Sequence, residues 1–581
     1  MALRNMNYQI SANPDFRAAV HPISGADGIT LLRLTADADA AAPLRLELRW
    51  SMPDLGTHLI WTPLRGTTRA VPPNWSSTLI ESNAAHGAPV CTALDCADRN
   101  RCTVAVADGL HTVRLRMGVM EENGNFDCRV VVEIESPVAH YETDVRIDLR
   151  DVPFYRAIDD VRAWWETHDG YTPAPVPAAA EEPLYSAWYS YHQNVDVPAI
   201  VDECEYFARL GTRVLIVDDG WQTDNSARGY DYCGDWQTAP GKVPSMRAFA
   251  DAVHQTGMKF MIWYSVPFVG EYSQAYDRFK DMMLGRWNPN SKTWVLDPRF
   301  PAVRAYLIDL YCRAVTDWNL DGLKLDFVDS FVQMDDRLDP RMDLTSVPEA
   351  VDRLMKDVHD ALVAIKPDIL LEFRQHYIGP VMRTFGNMFR SADCPLDSFT
   401  NRIHVLDLRL LSGSTAVHSD MVMWHPDETA EQAAFQLTAV LFAVPQISVR
   451  RQALTDAQAR MVADYLAFWT RYRDVLLHGE MCFHGCAANY PYVSSRLGNR
   501  QVGAVYGGQL AYLDAATDEI VVVNANMDSR VLLSASFTGA YAYTVYNCLG
   551  EITASGMLEL GGVTPVNGVP VNGRIVLTKA E

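Results

Sequence analysis

Lys324 and Asp326 lie two residues apart in the short apolar run Leu323-Lys324-Leu325-Asp326-Phe327. Alternate side chains of a strand share one face, so an ammonium and a carboxylate project together from apolar surroundings. Burying such a pair is costly unless the charges are fully hydrogen-bonded or have chemical work to do. A neighbouring ammonium lowers a carboxylate's pKa and keeps it ionised, which is the state a nucleophilic carboxylate needs. Other chemistry-bearing residues fall in short clusters: Asp218-Asp219-Gly220-Trp221, Cys233-Gly234-Asp235-Trp236, Trp263-Tyr264, the run Glu372 to Tyr377 with Arg374 in it, Arg390-Ser391-Ala392-Asp393 and His418-Ser419-Asp420. Taken singly each reads as a turn, a cap, a loop ion pair or a core aromatic.

The elements that must position them show a regular alternation. In the segment before Lys324, Val303, Tyr306, Leu307, Leu310, Val315 and Trp318 recur at helical spacing. Asn319-Leu320-Asp321-Gly322 then breaks the pattern, with Gly322 as the expected helix stop. Short apolar strands are expected at 184–188, 214–218, 258–264, 322–326, 369–373, 388–391, 415–419 and 445–449. Eight strand–helix units over about 290 residues is the arithmetic of an α/β (β/α)8 TIM barrel. A doubly wound sheet is the alternative, but no Gly-x-Gly-x-x-Gly follows the first strand. Ahead of the barrel, alternating runs at 29–34, 44–50, 111–117 and 128–134 predict an antiparallel β-sandwich. The Pro-rich stretch 171–177 reads as a linker. Runs at 510–513, 519–523, 541–546 and 574–577 predict a small C-terminal antiparallel β-domain. The expected divisions are 1–180, 181–478 and 479–581.

Composition narrows the function classes. The 581 residues carry a formal net charge of -22, which argues against a nucleic-acid partner. Eleven cysteines are scattered without zinc-like pairing, as expected of idle thiols in a reducing compartment. His418-x-Asp420-x4-His425 lacks a third ligand, so no metal and no cofactor are expected. Residues 1–20 contain no apolar signal core, and no apolar run reaches membrane-spanning length. The expected location is cytoplasmic, without membrane association, and Asn74-Trp75-Ser76 is not read as a glycosylation site. The 14 tryptophans favour a sugar ligand mildly.

In a barrel the active site lies at the C-terminal ends of the strands, where these clusters fall. Two carboxylates with a rim of Asp, Lys and Arg and with stacking Trp is what glycoside hydrolysis requires. Asp326 fits the nucleophile. Asp393 fits the acid, expected to keep its proton through burial beside other carboxylates.

The order Asp218-Asp219-Gly220-Trp221, Gly234-Asp235-Trp236, Lys324-Leu325-Asp326 and Arg390-Ser391-Ala392-Asp393 resembles glycoside hydrolase family 36, the melibiases of the α-galactosidase clan, with family 27 as a relative. The resemblance implies a retaining exo-α-galactosidase acting on small-molecule carbohydrates, in a chain that forms homo-oligomers. It implies that Asp326 is the nucleophile and Asp393 the acid/base, with carboxyl groups about 5–5.5 Å apart. It places Asp218, Asp219 and Lys324 at the sugar's C4 and C6 hydroxyls and Arg390 near C2. Trp221 and Trp236 would shape the pocket wall, with Trp263 also on the substrate. One departure stands out. Family members carry a Cys and a Gly-rich run after the fifth strand, whereas this chain has Glu372-Phe373-Arg374-Gln375-His376-Tyr377. Arg374, bulky and cationic, widens the expected substrates to a C2-modified galactose such as N-acetylgalactosamine, or to an anionic sugar. A transglycosylase of the raffinose-synthase sort would use the same carboxylate pair.

Overall fold

The computed structural model describes residues 6–25, 28–76, 80–334 and 337–580. Eight short strands form one parallel sheet: β1 (Leu184–Ser186), β2 (Val214–Val217), β3 (Lys259–Ser265), β4 (Gly322–Asp326), β5 (Leu370–Arg374), β6 (Met388–Arg390), β7 (Ala416–His418) and β8 (Gln446–Ile447). Their neighbour order is β7-β6-β5-β4-β3-β2-β1-β8. The ring closes where Val444 N–H donates to Val417 O at 2.8 Å and Ser419 N–H to Val444 O at 3.0 Å. All eight predicted strands are therefore present, in one barrel. They are buried along nearly their whole length, because a parallel sheet wrapped by helices has no solvent face.

Among the described residues, helices α1 (Val197–Leu210), α2 (Met246–Gln255), α3 (Pro301–Trp318), α4 (Val347–Ile365), α5 (Ser398–Ser412), α6 (Ala430–Ala439) and α7 (Asp456–His478) alternate with or follow the strands and cover the barrel. Two details differ from the regular pattern. Between β5 and β6 the described chain makes only a 3₁₀ turn, Met382–Thr384. After β3 it makes a small antiparallel sheet of Phe268–Gly270, Met283–Arg286 and Thr293–Leu296, which the sequence pattern did not announce. The stop of α3 also differs: Asn319 takes the left-handed conformation at φ 56°, and Gly322 is already in β4. Gly322 is needed for packing, since a Cβ there would sit 2.4 Å from Leu370 O.

The N-terminal strands are built on two long antiparallel partners, Ile29–Pro53 and Asn125–Asp148. Their pairing slips between Asp37 and Leu44, and on either side of the slip each strand joins a different set of neighbours. The first half of Ile29–Pro53 pairs with Phe16–Ser24 and its second half with Gln9–Ala12, while the first half of Asn125–Asp148 pairs with Thr112–Met120 and its second half with Asn100–Val106. Leu32, Leu34 and Val104 thus meet Leu46, Trp50 and Leu115 in one buried core. This is the expected sandwich. The C-terminal sheet has eight strands between Glu480 and Lys579. It is mostly antiparallel but includes two parallel pairings, Arg500–Val505 with Glu519–Asn524 and Leu510–Leu513 with Val531–Tyr546. Asp407 on α5 ties all three parts together, accepting from Trp61 Nε1 at 2.9 Å, Arg69 Nη2 at 3.1 Å and Tyr490 hydroxyl at 2.7 Å. Among the described residues no helix is long and apolar enough to cross a membrane.

A second tie is pH-sensitive. His111 lies 2.8 Å from Asp108 and 3.6 Å from Glu349 at the start of α4. Burial disfavours its charge, but the two carboxylates outweigh burial and raise its pKa to about 9. Its unfolded value is about 6.5, so the contribution is full below that pH and is lost as pH rises toward 9. His111→Ala should cost about 1–3 kcal/mol on the acidic side of this window, and the gap to wild type in thermal midpoint should narrow across it. A gap of constant size would contradict the ion-pair account.

Candidate active site

At the mouth end of β4 the Asp326 carboxylate is held by four donors. Oδ1 accepts from Phe327 N–H at 2.8 Å, Tyr377 hydroxyl at 2.9 Å and Arg374 Nε at 2.5 Å. Oδ2 accepts from Trp263 Nε1 at 2.9 Å. Burial alone would protonate it, but the charges of Arg374 and Lys324 outweigh burial and hold the carboxyl well below its usual range. Phe327, at φ 63°, turns the chain sharply off the strand. Lys324 shares the face of Asp326 as the spacing requires. Its close partner, however, is Asp218 on the next-but-one strand, 2.5 Å away. Strand alternation specifies a face, and only the closed barrel decides which carboxylate across it is nearest.

The turn after β2 carries the second acidic cluster. Asp218 Oδ1 accepts the Asp219 amide at 2.9 Å. Asp219 is gripped by Gln193 Nε2 at 2.5 Å and Gln222 Nε2 at 2.6 Å, while burial raises its carboxyl to about 6. Gly220, at φ 115°, admits no side chain, because a Cβ would lie 2.5 Å from Gln193 Cα. Gln193, on the loop after β1, was not anticipated; an isolated Gln carries no sequence pattern.

The tryptophans divide into two layers. Trp263 reaches the site through its indole N–H. Trp221 is 0% exposed, donates to Trp263 O at 3.0 Å, and packs on Trp236 and Trp318. It offers no face to a sugar, contrary to expectation, and braces the wall from behind. Trp236 is also buried, its ring against Trp263 and Tyr264. The turn at Gly220 directs Trp221 inward. Tyr230 stacks on Trp263 with centroids 6.0 Å apart, a contact no local pattern revealed.

Arg390 organises the end of β6. Nη2 donates to Asp393 Oδ1 at 2.8 Å and Nη1 to Asp420 Oδ1 at 2.5 Å, while Nε lies 3.8 Å from Glu372 Oε1. The side chain of Asp393 is 57% exposed at the rim. Burial opposes its charge, but Arg390 and Lys324 prevail and lower its pKa. The expectation of a carboxyl held protonated by burial is corrected on this point: the Arg390 guanidinium, three residues earlier at the end of the same strand, outweighs burial and the neighbouring acids. Burial instead raises Asp219, Glu372, Asp420 and Asp329. Asp420 also accepts from Cys394 N–H at 2.7 Å and Tyr189 hydroxyl at 2.9 Å. His418 is buried on Ala180 O at 2.7 Å, far from a ligand's role, and His425 is exposed. Among the described residues no group of three His, Cys, Asp or Glu side chains could hold a metal ion.

Arg374 proves to be a partner of Asp326. Its guanidinium also lies over the rings of Phe327, at 5.0 Å, and Tyr377, at 5.8 Å. Tyr377 belongs with the site residues. It stood in the departing strand-5 run, but its hydroxyl's reach to Asp326 depends on how the loop folds back.

Residues 180–374 match the melibiase family model. Among curated proteins, the chain is 31% identical over 229 residues to alpha-galactosidase 1 of Pediococcus pentosaceus, covering 38% of this chain and 29% of that one. It is 27% identical over 200 residues to alpha-galactosidase Mel36A of Lactobacillus acidophilus, covering 32% and 26%. It is 24% identical over 219 residues to an A type blood alpha-D-galactosamine galactosaminidase of Flavonifractor plautii, covering 34% and 19%. The aligned stretches thus span less than a third of these relatives' lengths. Among solved structures, the GH36 alpha-galactosidase AgaA of Geobacillus stearothermophilus superposes with a TM-score of 0.64 at 13% identity, over 99% of this chain and 87% of that one. The alpha-galactosidase of Lactobacillus brevis gives 0.62 at 14% identity, over 99% and 85%. Barrel and flanking β-domains are shared with both. Residues 180–374 are thus melibiase-like in sequence, and the fold of the whole chain is shared with GH36 alpha-galactosidase structures.

Proposed function

We propose that the protein is a retaining exo-α-galactosidase. The observation that carries the reading is the ionised Asp326 at the end of β4, beside the Lys324–Asp218 pair and facing the same mouth as Asp393. Asp326 attacks the anomeric carbon while the protonated fraction of Asp393, small because Arg390 and Lys324 lower its pKa, gives its proton to the leaving oxygen; water, activated by the Asp393 carboxylate, then hydrolyses the glycosyl-aspartate. The charge of Asp326 is among the causes that raise Asp393. Ester formation consumes that charge, so the pKa of Asp393 falls further and it stands as the carboxylate, able to take a proton from water, in the second step. Asp218, Asp219 and Lys324 hold sugar hydroxyls, as the family resemblance implies. The reading requires about 5–5.5 Å between the two carboxyl groups. Eleven unpaired cysteines support action in a reducing compartment such as the cytoplasm.

A second reading, a C2-modified galactose such as N-acetylgalactosamine, is favoured by one feature. Arg374 places a guanidinium against the nucleophile where the family resemblance implies small residues, and a galactosaminidase is among the relatives. A panel of p-nitrophenyl glycosides separates the two. Release from the α-galactoside, absent in Asp326→Ala, supports the first. Release only from the N-acetylated analogue selects the second. Release from no α-glycoside defeats both, and galactosyl transfer to a sugar acceptor in preference to water selects the transglycosylase.

A further inference from the structure

The end of β5 and the loop after it touch the carboxylate of Asp326 and the backbone beside Asp393. Arg374 and Tyr377 bind Asp326. Gln375 is buried, and its side-chain Oε1 accepts the amide of Ala392 at 2.9 Å, one residue before Asp393. Its own amide donates to Arg390 O at 3.0 Å. The side chain of Asp393 is largely exposed, so its direction rests on Arg390 Nη2, 2.8 Å from Oδ1, and on the anchored backbone beside it.

The same loop is held from outside the barrel. Gly87, on a turn of the N-terminal sandwich, donates its amide to His376 O at 2.6 Å. The rings of His86 and His376 lie 5.7 Å apart. A Cβ on Gly379 would come within 2.7 Å of Gly87 O, and one on Gly109 within 2.7 Å of Pro380. Backbones this close leave no slack between sandwich and loop. Burial, with His86 and Arg374 nearby, pushes His376 down to about 4, so the ring packs there uncharged.

We propose that the N-terminal sandwich is a working part of the active site. Through Gly87 and His376 it clamps the strand-5 loop, and Gln375 is the positioning residue that sets Asp393 against Asp326. The inference rests on the assignment of Asp393 as acid/base above.

The test uses Gln375→Leu and His86→Ala in the full chain. A p-nitrophenolate leaves with little help from a proton, whereas a sugar alcohol needs one. Gln375→Leu should lower kcat/KM on a galactosyl disaccharide by roughly 10- to 100-fold, and on the p-nitrophenyl α-galactoside by less than about threefold. His86→Ala should show the same imbalance more weakly, and carries the test if Gln375→Leu does not fold. Equal losses on both substrates, or no loss, would overturn the positioning role. Hydrogen exchange supplies an arm independent of turnover. The amide of Ala392 and those of 374–377 should exchange faster in Gln375→Leu, with the sandwich strands unchanged; unchanged protection at Ala392 overturns the clamp. Wild type that cleaves no α-glycoside defeats the functional reading instead, and the exchange result still decides the clamp.

Discussion

Asp326→Ala is expected to lower kcat on the α-galactoside by about 10⁴-fold or more, because the step that forms the covalent intermediate loses its nucleophile. Substrate binding should largely survive, since Asp218, Asp219 and Lys324 are untouched. The space vacated lies among Arg374, Lys324, Tyr377 and the indole of Trp263. These donors suit a small anion. Added azide should attack the anomeric carbon from the face Asp326 used, expelling the aglycone and giving a β-galactosyl azide. That product, identified by NMR, establishes nucleophile and retention together. An α-azide, or full activity in the variant, would remove Asp326 from the role. The stability effect has a defined sign. A carboxyl held below its unfolded value contributes above about pH 4 and stops contributing as pH falls through its folded value. Wild type and variant should therefore converge in stability in strong acid.

The second large effect is expected at Lys324. Its ammonium is buried against Asp218. Lys324→Met keeps the stem and removes the charge, leaving a buried carboxylate without its cation, a change that costs about 3–5 kcal/mol. The thermal midpoint should fall clearly, and kcat/KM should fall by about 10²-fold or more as a preorganised charge beside the sugar disappears. Removing both charges in Lys324→Met/Asp218→Asn should recover much of the stability and none of the activity. Recovery of both would mean that the pair is only structural. No loss of stability in the single variant would mean that water reaches Asp218 and that the pair is less buried than its geometry shows.

Much of the barrel was legible because its signals are local. Short apolar runs between amphipathic helices show a parallel sheet directly, since a strand buried on both faces has no polar alternation to interrupt it. The inserted sheet after β3 escaped notice because its strands are only three or four residues long. The missing helix between β5 and β6 escaped for the opposite reason, since the count of strands there is regular. In the site, Asp218, Asp219, Lys324, Asp326, Arg390 and Asp393 announce themselves through spacing at strand ends. Gln193, Gln222, Tyr189, Tyr230, Gln375 and Tyr377 do not. Except for Gln222, which reaches Asp219 within the same turn, each acts on a residue remote in the chain, and nothing beside it in sequence marks the contact.

The amino-acid sequence by itself determined that acidic and basic side chains would gather at one end of a barrel, because period and spacing are properties of neighbouring residues. Only the tertiary structure decided who pairs with whom. It gave Lys324 to Asp218 and Arg374 to Asp326, set Arg390 against Asp393 so that its carboxyl is lowered where burial alone would raise it, and turned Trp221 away from the mouth. Charge and burial are both sums over everything nearby in space, and most of what is nearby here comes from other strands, and at Gly87 from another sheet altogether.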